Sequence, residues 1–227
     1  MCGGKMSDLD EVVVDEEKVV KAIRMEVPLV MTTYTLPRKV EKYIEKVVTL
    51  FLEYIRQSSL ADSIIYCVQE LVVNAKKANT KRVYFLEKGL DLSSPQDYSV
   101  GMETFREETL TNIQHYLDLQ KEKGLYIKLV LQLKDNIITI EVRNNSIITQ
   151  EELERIRKRL AKAGTYSDLE EALGNILDDS EGAGLGLIIL VLMMKKIGLS
   201  EKSFNILRTD AETVARIVIP KNLKRAG

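Results

Sequence analysis

The chain has 227 residues, of which 45% are hydrophobic and 30% are charged, a balance typical of soluble globular proteins and unlike that of disordered chains. Its 33 basic and 34 acidic residues leave a net charge of −1, so no basic surplus favours nucleic-acid binding. The two cysteines, Cys2 and Cys67, lack the spacing of a zinc site or a disulfide framework. No apolar run is long enough for a signal peptide or a membrane span, so we expect a cytoplasmic protein.

The first half of the chain predicts a strand and two helices after a charged N-terminal extension. Residues 1–24 form the extension, and residues 25–227 are predicted to form a single domain. A β-prone stretch at 27–36 leads into a helix predicted over 38–57. A second helix is predicted over 62–78, because its apolar residues recur at helical spacing. These core positions are Ile64, Val68, Leu71, Val72 and Ala75.

The second half predicts strands mixed with helices. Residues 88–124 are polar and contain turn signals and a predicted helix from 102 to about 121. The other predicted elements are strands at 82–86, 126–133, 137–142, 203–208 and 213–219, and helices at 150–163 and 185–197. An antiparallel hairpin among helices indicates an α+β fold, a two-layer sandwich in which helices cover one face of a mixed, mostly antiparallel sheet.

A polar stripe on the helix at 62–78 carries the first candidate chemistry. Glu70, Asn74 and Lys77 share one helix face, because positions i, i+4 and i+7 are neighbours on a helix. A carboxylate can act as a general base, an amide oxygen can ligate Mg²⁺ and a lysine can pair with phosphate. An ordinary solvated helix face remains the alternative for this stripe taken alone.

Three glycines open the apolar helix at 185–197. Gly182, Gly184 and Gly186 let the backbone approach a ligand closely, and the N–H groups at a helix N-terminus form an anion site. The spacing is neither that of a dinucleotide-binding fold nor that of a P-loop. Taken alone, the glycines also suit a flexible hinge with tight helix packing.

The order and spacing of these motifs resemble the GHKL superfamily, which includes gyrase, heat-shock chaperone ATPases, histidine kinases and MutL. In that resemblance, 70–78 is the N box, 142–146 the first glycine box and 181–187 the second. Thr213 matches the closing threonine of the nucleotide pocket. The resemblance extends over residues 62–220 and implies that 25–227 is a single ATP-binding domain with a histidine-kinase-type ATPase fold that binds ATP and Mg²⁺. Residues 88–124 are longer than the usual connection in this family, so they are expected to be an insertion and a candidate partner-binding surface.

The resemblance also implies a role for each site residue. Glu70 would be the general base, Asn74 the ligand of a Mg²⁺ ion that bridges the phosphates, and 149–183 the ATP lid. The remaining assignments are a phosphate contact at Lys77, lid glycines at Gly182, Gly184 and Gly186, an adenine contact at Asn144, and a water-mediated adenine contact at Thr213.

The chain departs from the family at the first glycine box. Asn144 stands where the family has an aspartate that accepts a hydrogen bond from the adenine amino group. The amide oxygen of Asn144 can still accept that bond, but loss of the charge weakens recognition by about 1 kcal/mol or somewhat more. Ser146 replaces a glycine and would crowd the purine.

The strand at 27–36 and the helix at 38–57 resemble the start of bacterial anti-sigma-factor serine kinases. The single histidine, His115, follows the N box and lacks a phosphoacceptor motif, so we expect a surface or packing role for it. The resemblance implies an ATP-binding signalling module with a protein partner or substrate. It would be either a serine/threonine kinase of the anti-sigma type or the catalytic half of a split histidine kinase. The alternative is a non-catalytic adaptor regulated by nucleotide, and a homodimer stays open.

Overall fold

A computed structural model describes residues 12–176 and 184–223 and confirms the predicted α+β class. In the described part, one five-stranded sheet is combined with eight α-helices. The helices are α1 (Glu16–Arg24), α2 (Arg38–Tyr54), α3 (Ala61–Glu87), α4 (Pro95–Thr111), α5 (Ile113–Glu122), α6 (Gln150–Thr165), α7 (Leu169–Ile176) and α8 (Leu185–Lys196). The strands are β1 (Leu29–Thr33), β2 (Ile127–Lys134), β3 (Ile137–Asn144), β4 (Phe204–Arg208) and β5 (Thr213–Pro220).

The sheet has the strand order β1-β2-β3-β5-β4, and every neighbouring pair is antiparallel. Since side chains alternate along a strand, apolar residues such as Leu131, Ile140 and Ile217 point together into the main core. The other face carries charged residues, where Glu141 pairs with Arg143 and Arg216. This division of apolar and charged faces produces the two layers.

Helices α2, α3 and α8 supply most of the helical side of the core. All five core positions predicted on α3 from helical spacing are buried. Phe51 and Leu52 of α2 and Leu190 of α8 are also fully buried, and each such side chain stabilises the fold by about 1.5–3 kcal/mol. Val19 of α1 is buried in the same core, so α1 packs on the domain from within the range assigned to the N-terminal extension.

The strand predicted at 82–86 is wrong, because α3 continues through this stretch to Glu87. Val83, Tyr84 and Phe85 favour strands by local propensity. They are instead buried in a second hydrophobic cluster, together with Tyr116 and Leu125. Packing in the folded chain therefore overrides local preference here.

The second cluster is built by residues 88–124, which fold back onto the C-terminal half of α3. The single helix predicted from 102 to about 121 is two helices, α4 and α5, that meet at Asn112. Gly101 of α4 lies against the Phe85 ring, where a Cβ would come 2.5 Å from ring carbon Cζ. The insertion thus has its own small core that shares α3 with the main one.

Candidate functional site

The polar stripe of α3 contains a hydrogen-bonded pair. Asn74 Nδ2 donates to Glu70 Oε1 over 2.9 Å, and both residues are half-buried, whereas Lys77 is exposed. The amide orientation follows from this bond, because a carboxylate only accepts hydrogen bonds. Asn74 Oδ1 is therefore the atom that remains for another ligand.

Gly186, in the first turn of α8, packs directly against the Glu70 carboxylate. A Cβ built on Gly186 would overlap both oxygens and the Cδ carbon of Glu70. A larger residue at position 186 would fit only if the Glu70 carboxylate moved aside. The structure thus brings together Glu70, Asn74 and Gly186, which lie far apart in the sequence.

Gly184 is the N-cap of α8 and has φ +145° and ψ −9°. Residues other than glycine rarely adopt this backbone conformation. No side chain caps this helix N-terminus among the described residues, so its first N–H groups are available to an acceptor. The side chain of Arg159 from α6 lies over Gly184, 3.1 Å from the position of an added Cβ. Gly182 falls outside the described residues.

Helix α6 begins the segment predicted as the lid and is held at both ends. It starts with a capping box between Thr149 and Glu152, and Glu152 also forms an ion pair with Lys81 of α3. Burial raises the pKa of the Glu152 carboxyl, but the charge and hydrogen bond of Lys81 outweigh burial and hold the pKa below its ordinary value. Further along, α6 packs against α8, so it lies beside the stripe face of α3.

A second polar group lies where β3 ends. Asn144 and Thr213 are direct partners across β3 and β5, and Asn144 and Ser146 are both buried. Thr213 Oγ1 donates to the Ser146 carbonyl over 2.7 Å and accepts from the Ile148 N–H over 2.9 Å. The structure therefore brings the predicted adenine residues together and already engages the Thr213 hydroxyl in both directions.

Asn79 of α3 completes this second group and was missed by sequence reasoning. It is fully buried, and its Oδ1 accepts from Asn144 Nδ2 over 3.2 Å and from Ser146 Oγ over 2.8 Å. The signal was present in the sequence: position 79 follows Val72 and Ala75 at helical spacing, so an asparagine there is a polar residue on a core stripe.

The two groups lie on different faces of α3. Asn79 faces the end of β3, whereas the stripe faces α6 and α8. Asn74 and Asn79 are separated by about 7.5 Å along the helix axis. Arg82 of α3 also contacts the chain beyond β3, since its guanidinium donates to the Ile147 carbonyl over 2.7 Å.

Two other candidates do not join either group. Burial raises the pKa of the Cys67 thiol to about 12, so this cysteine is an inert core residue. His115 of α5 pairs with Glu87 over 2.5 Å at the far end of α3.

Two cavities of about 340 and 210 Å³ lie elsewhere in the fold. Both are bordered by α2 and α3 near β1, and neither contains a predicted site residue. The described residues include no cluster of three or more His, Cys, Asp or Glu side chains that could hold a metal. Over the same residues, no helix has both the length and the apolar character needed to cross a bilayer.

Comparison with known proteins finds a relative of similar sequence. The chain is similar to a protein of Treponema pallidum (strain Nichols) described as "Uncharacterized protein", with 49% identity over 214 residues. The match covers 94% of this chain and 42% of the other protein, so the chain spans less than half the length of that relative. No family model matches the chain, and no solved structure matches it either.

Proposed function

We propose that the chain is an ATP-binding signalling module that phosphorylates a protein in the cytoplasm. ATP would lie between α3 on one side and α6 with the start of α8 on the other. The observation that carries this proposal is the packing of Gly186 against the hydrogen-bonded Glu70–Asn74 pair. This packing brings a carboxylate, an amide oxygen and a helix N-terminus close together, which is the set of groups that the proposal requires.

The donor set suits a nucleotide-bound Mg²⁺ ion. Mg²⁺ usually keeps several waters and takes one or two protein oxygens together with phosphate oxygens. Asn74 Oδ1 would be that protein ligand, since Glu70 already accepts from the Nδ2 atom. When bound, the ion neutralises negative charge that develops on the phosphates.

The phosphates would meet the N-terminus of α8. Its first N–H groups lack a side-chain cap within the described residues, and a helix N-terminus carries about half a positive charge. Lys77 is exposed on the same α3 face as Asn74, where its flexible ammonium group can reach a phosphate.

Glu70 would act as the general base. The substrate hydroxyl oxygen attacks the γ-phosphorus, the bond from that phosphorus to the bridging oxygen breaks, and ADP leaves. Glu70 accepts the hydroxyl proton. The Asn74 hydrogen bond and the contact with Gly186 hold the carboxylate in one orientation, which is what a proton acceptor requires.

A non-catalytic adaptor regulated by nucleotide is the second candidate. It is favoured by the corner at the end of β3, where Asn144, Ser146 and Thr213 bond to the protein itself. In such a protein, Glu70 would serve only to pack and orient α8.

Calorimetric titration with Mg²⁺-ATP tests the proposal, followed by measurement of ATP turnover. We expect saturable binding and turnover that is lost when Glu70 is changed. Absence of binding at millimolar nucleotide overturns the nucleotide site. If the protein binds ATP but shows no turnover with any protein partner tried, the adaptor hypothesis is favoured over the kinase.

A further inference from the structure

An asparagine at position 79 is expected to destabilise the fold unless its buried amide is hydrogen-bonded. It lies in the middle of the 27-residue α3, where asparagine is a poor helix former, and its side chain is fully buried. A buried amide destabilises a fold unless its polar atoms are bonded. Both atoms of the Asn79 amide are bonded, and the partners define the direction of every bond.

A main-chain carbonyl fixes the orientation of the Asn79 amide. Asn79 Nδ2 donates to the Tyr126 carbonyl over 3.1 Å. A carbonyl oxygen only accepts, so the nitrogen of Asn79 must face Tyr126 and the oxygen must face away. That oxygen then accepts from Asn144 Nδ2 and from Ser146 Oγ.

The same constraint passes to Asn144. Its Nδ2 must face the Asn79 oxygen, and it also donates to the Ser146 carbonyl over 3.3 Å. Both hydrogen bonds of the Asn144 side chain to described residues use Nδ2. Its Oδ1 accepts none from that part of the chain and is not sealed from the surroundings.

We infer that Asn79 is a positioning residue that fixes the Asn144 amide as a hydrogen-bond acceptor and so selects a purine with an exocyclic amino group. The inference rests on the proposed function and on the adenine contact expected at Asn144. An asparagine amide can present either a donor or an acceptor, whereas an aspartate presents only acceptors. Without Asn79, the Asn144 amide would be oriented only by its 3.3 Å hydrogen bond to the Ser146 carbonyl. An adenine amino group donates to Oδ1, whereas the oxo group of hypoxanthine would face it acceptor to acceptor.

Calorimetry on the whole chain tests the inference with Mg²⁺-ATP, Mg²⁺-inosine triphosphate and the triphosphate of unsubstituted purine riboside. The parent protein should bind ATP most tightly, the unsubstituted purine less tightly and the inosine nucleotide least. The ratio of ATP to inosine affinity should be about tenfold or more. Equal affinities, or a preference for inosine, overturn the inference even if the variants below fail to fold.

Asn79→Leu keeps the branched shape and removes the polarity. In this variant, the affinity ratio should fall to about threefold or less, because the Asn144 amide is then oriented only by its 3.3 Å hydrogen bond to the Ser146 carbonyl. Asn145→Ala is the matched control. Asn145 accepts from the Tyr126 N–H and donates to the Gly124 carbonyl, so its loss loosens the same corner and leaves the Asn79–Asn144 bond intact.

The control should weaken binding of all three nucleotides to a similar extent and preserve their ratio. A folded Asn79→Leu protein that keeps the parental ratio contradicts the role of Asn79 while the proposed function stands. If the parent protein binds none of the three triphosphates, the proposed function fails, and the inference fails with it.

Discussion

Asn74 Nδ2 donates a 2.9 Å hydrogen bond to Glu70 Oε1, one helical turn earlier on α3. The bond gives each residue a defined direction: the carboxylate cannot rotate freely, and the amide oxygen of Asn74 is turned away from it. A substitution at either position therefore changes the orientation of the other. Metal binding and proton transfer therefore have to be measured separately in variants of Glu70 and Asn74.

Asn74→Ala should weaken binding of Mg²⁺-ATP by at least about tenfold, in the range seen when metal-site interactions are removed. Binding of ATP in the presence of a chelator should change much less, since Asn74 would contact the nucleotide only through the metal. Parallel titrations with and without Mg²⁺ measure the difference. Asn205→Ala, at an exposed asparagine of β4, is the control. An equal loss under both conditions would make Asn74 a purely structural residue.

Glu70→Gln should leave ATP affinity nearly unchanged and slow turnover by ~10²-fold or more. Glutamine keeps the size of the side chain and an oxygen that accepts from Asn74, but it is not a base. Single-turnover phosphate release or transfer measures the rate, and titration measures the affinity. A parental rate in this variant would show that Glu70 does not accept the proton.

Gly186→Ala should destabilise the fold by about 1 kcal/mol, at the low end of the cost of overpacking, because the new methyl group overlaps the Glu70 carboxylate and forces it to move aside. The double variant Gly186→Ala/Glu70→Ala should recover part of that loss, since the space is then free. Urea unfolding measures the free energies. Gly174→Ala in α7 is the control, because nothing lies within 4 Å of its added Cβ. Additive effects at 70 and 186 would contradict the contact.

The Lys81–Glu152 pair predicts a pH dependence of stability. The pKa of Glu152 is lower in the fold than its ordinary value of 4.5, so its stabilising contribution is present above 4.5 and is lost as the pH falls through the folded pKa. Lys81→Met removes the charge and the hydrogen bond that do most to lower this pKa against burial, so the pKa of Glu152 should be higher in the variant than in the parent. At neutral pH this variant should be less stable by roughly 1–3 kcal/mol.

The difference between the two proteins should shrink as the solution is acidified, because the variant's buried carboxyl becomes neutral first. Urea unfolding of both proteins across the acid range measures this convergence. Lys123→Met, at an exposed lysine, should follow the parent. Parallel stability curves for Lys81→Met and the parent would show that the pair does not couple to folding.

Periodicity predicted the main core of α3 because Ile64, Val68 and Leu71 are buried by the helix's own geometry. It did not predict that α3 extends beyond Ala78, because Tyr84 and Phe85 are buried only through α4 and α5. The site was anticipated as separate motifs. The contact between Glu70 and Gly186 depends on how two helices that are distant in sequence pack together. The role of Asn79 depends on the carbonyl of Tyr126, just before β2. Local sequence patterns predict neither contact.

The second cluster also bears on how the chain folds. Its contacts join the C-terminal half of α3 to α4 and α5, which follow within about forty residues. β1, by contrast, pairs with β2 about a hundred residues later. Short-range closure costs less chain entropy and is faster, so we expect α3–α5 to gain protection from hydrogen exchange before β1 does. Helices α3–α5 would then form the folding nucleus on which the sheet assembles during refolding.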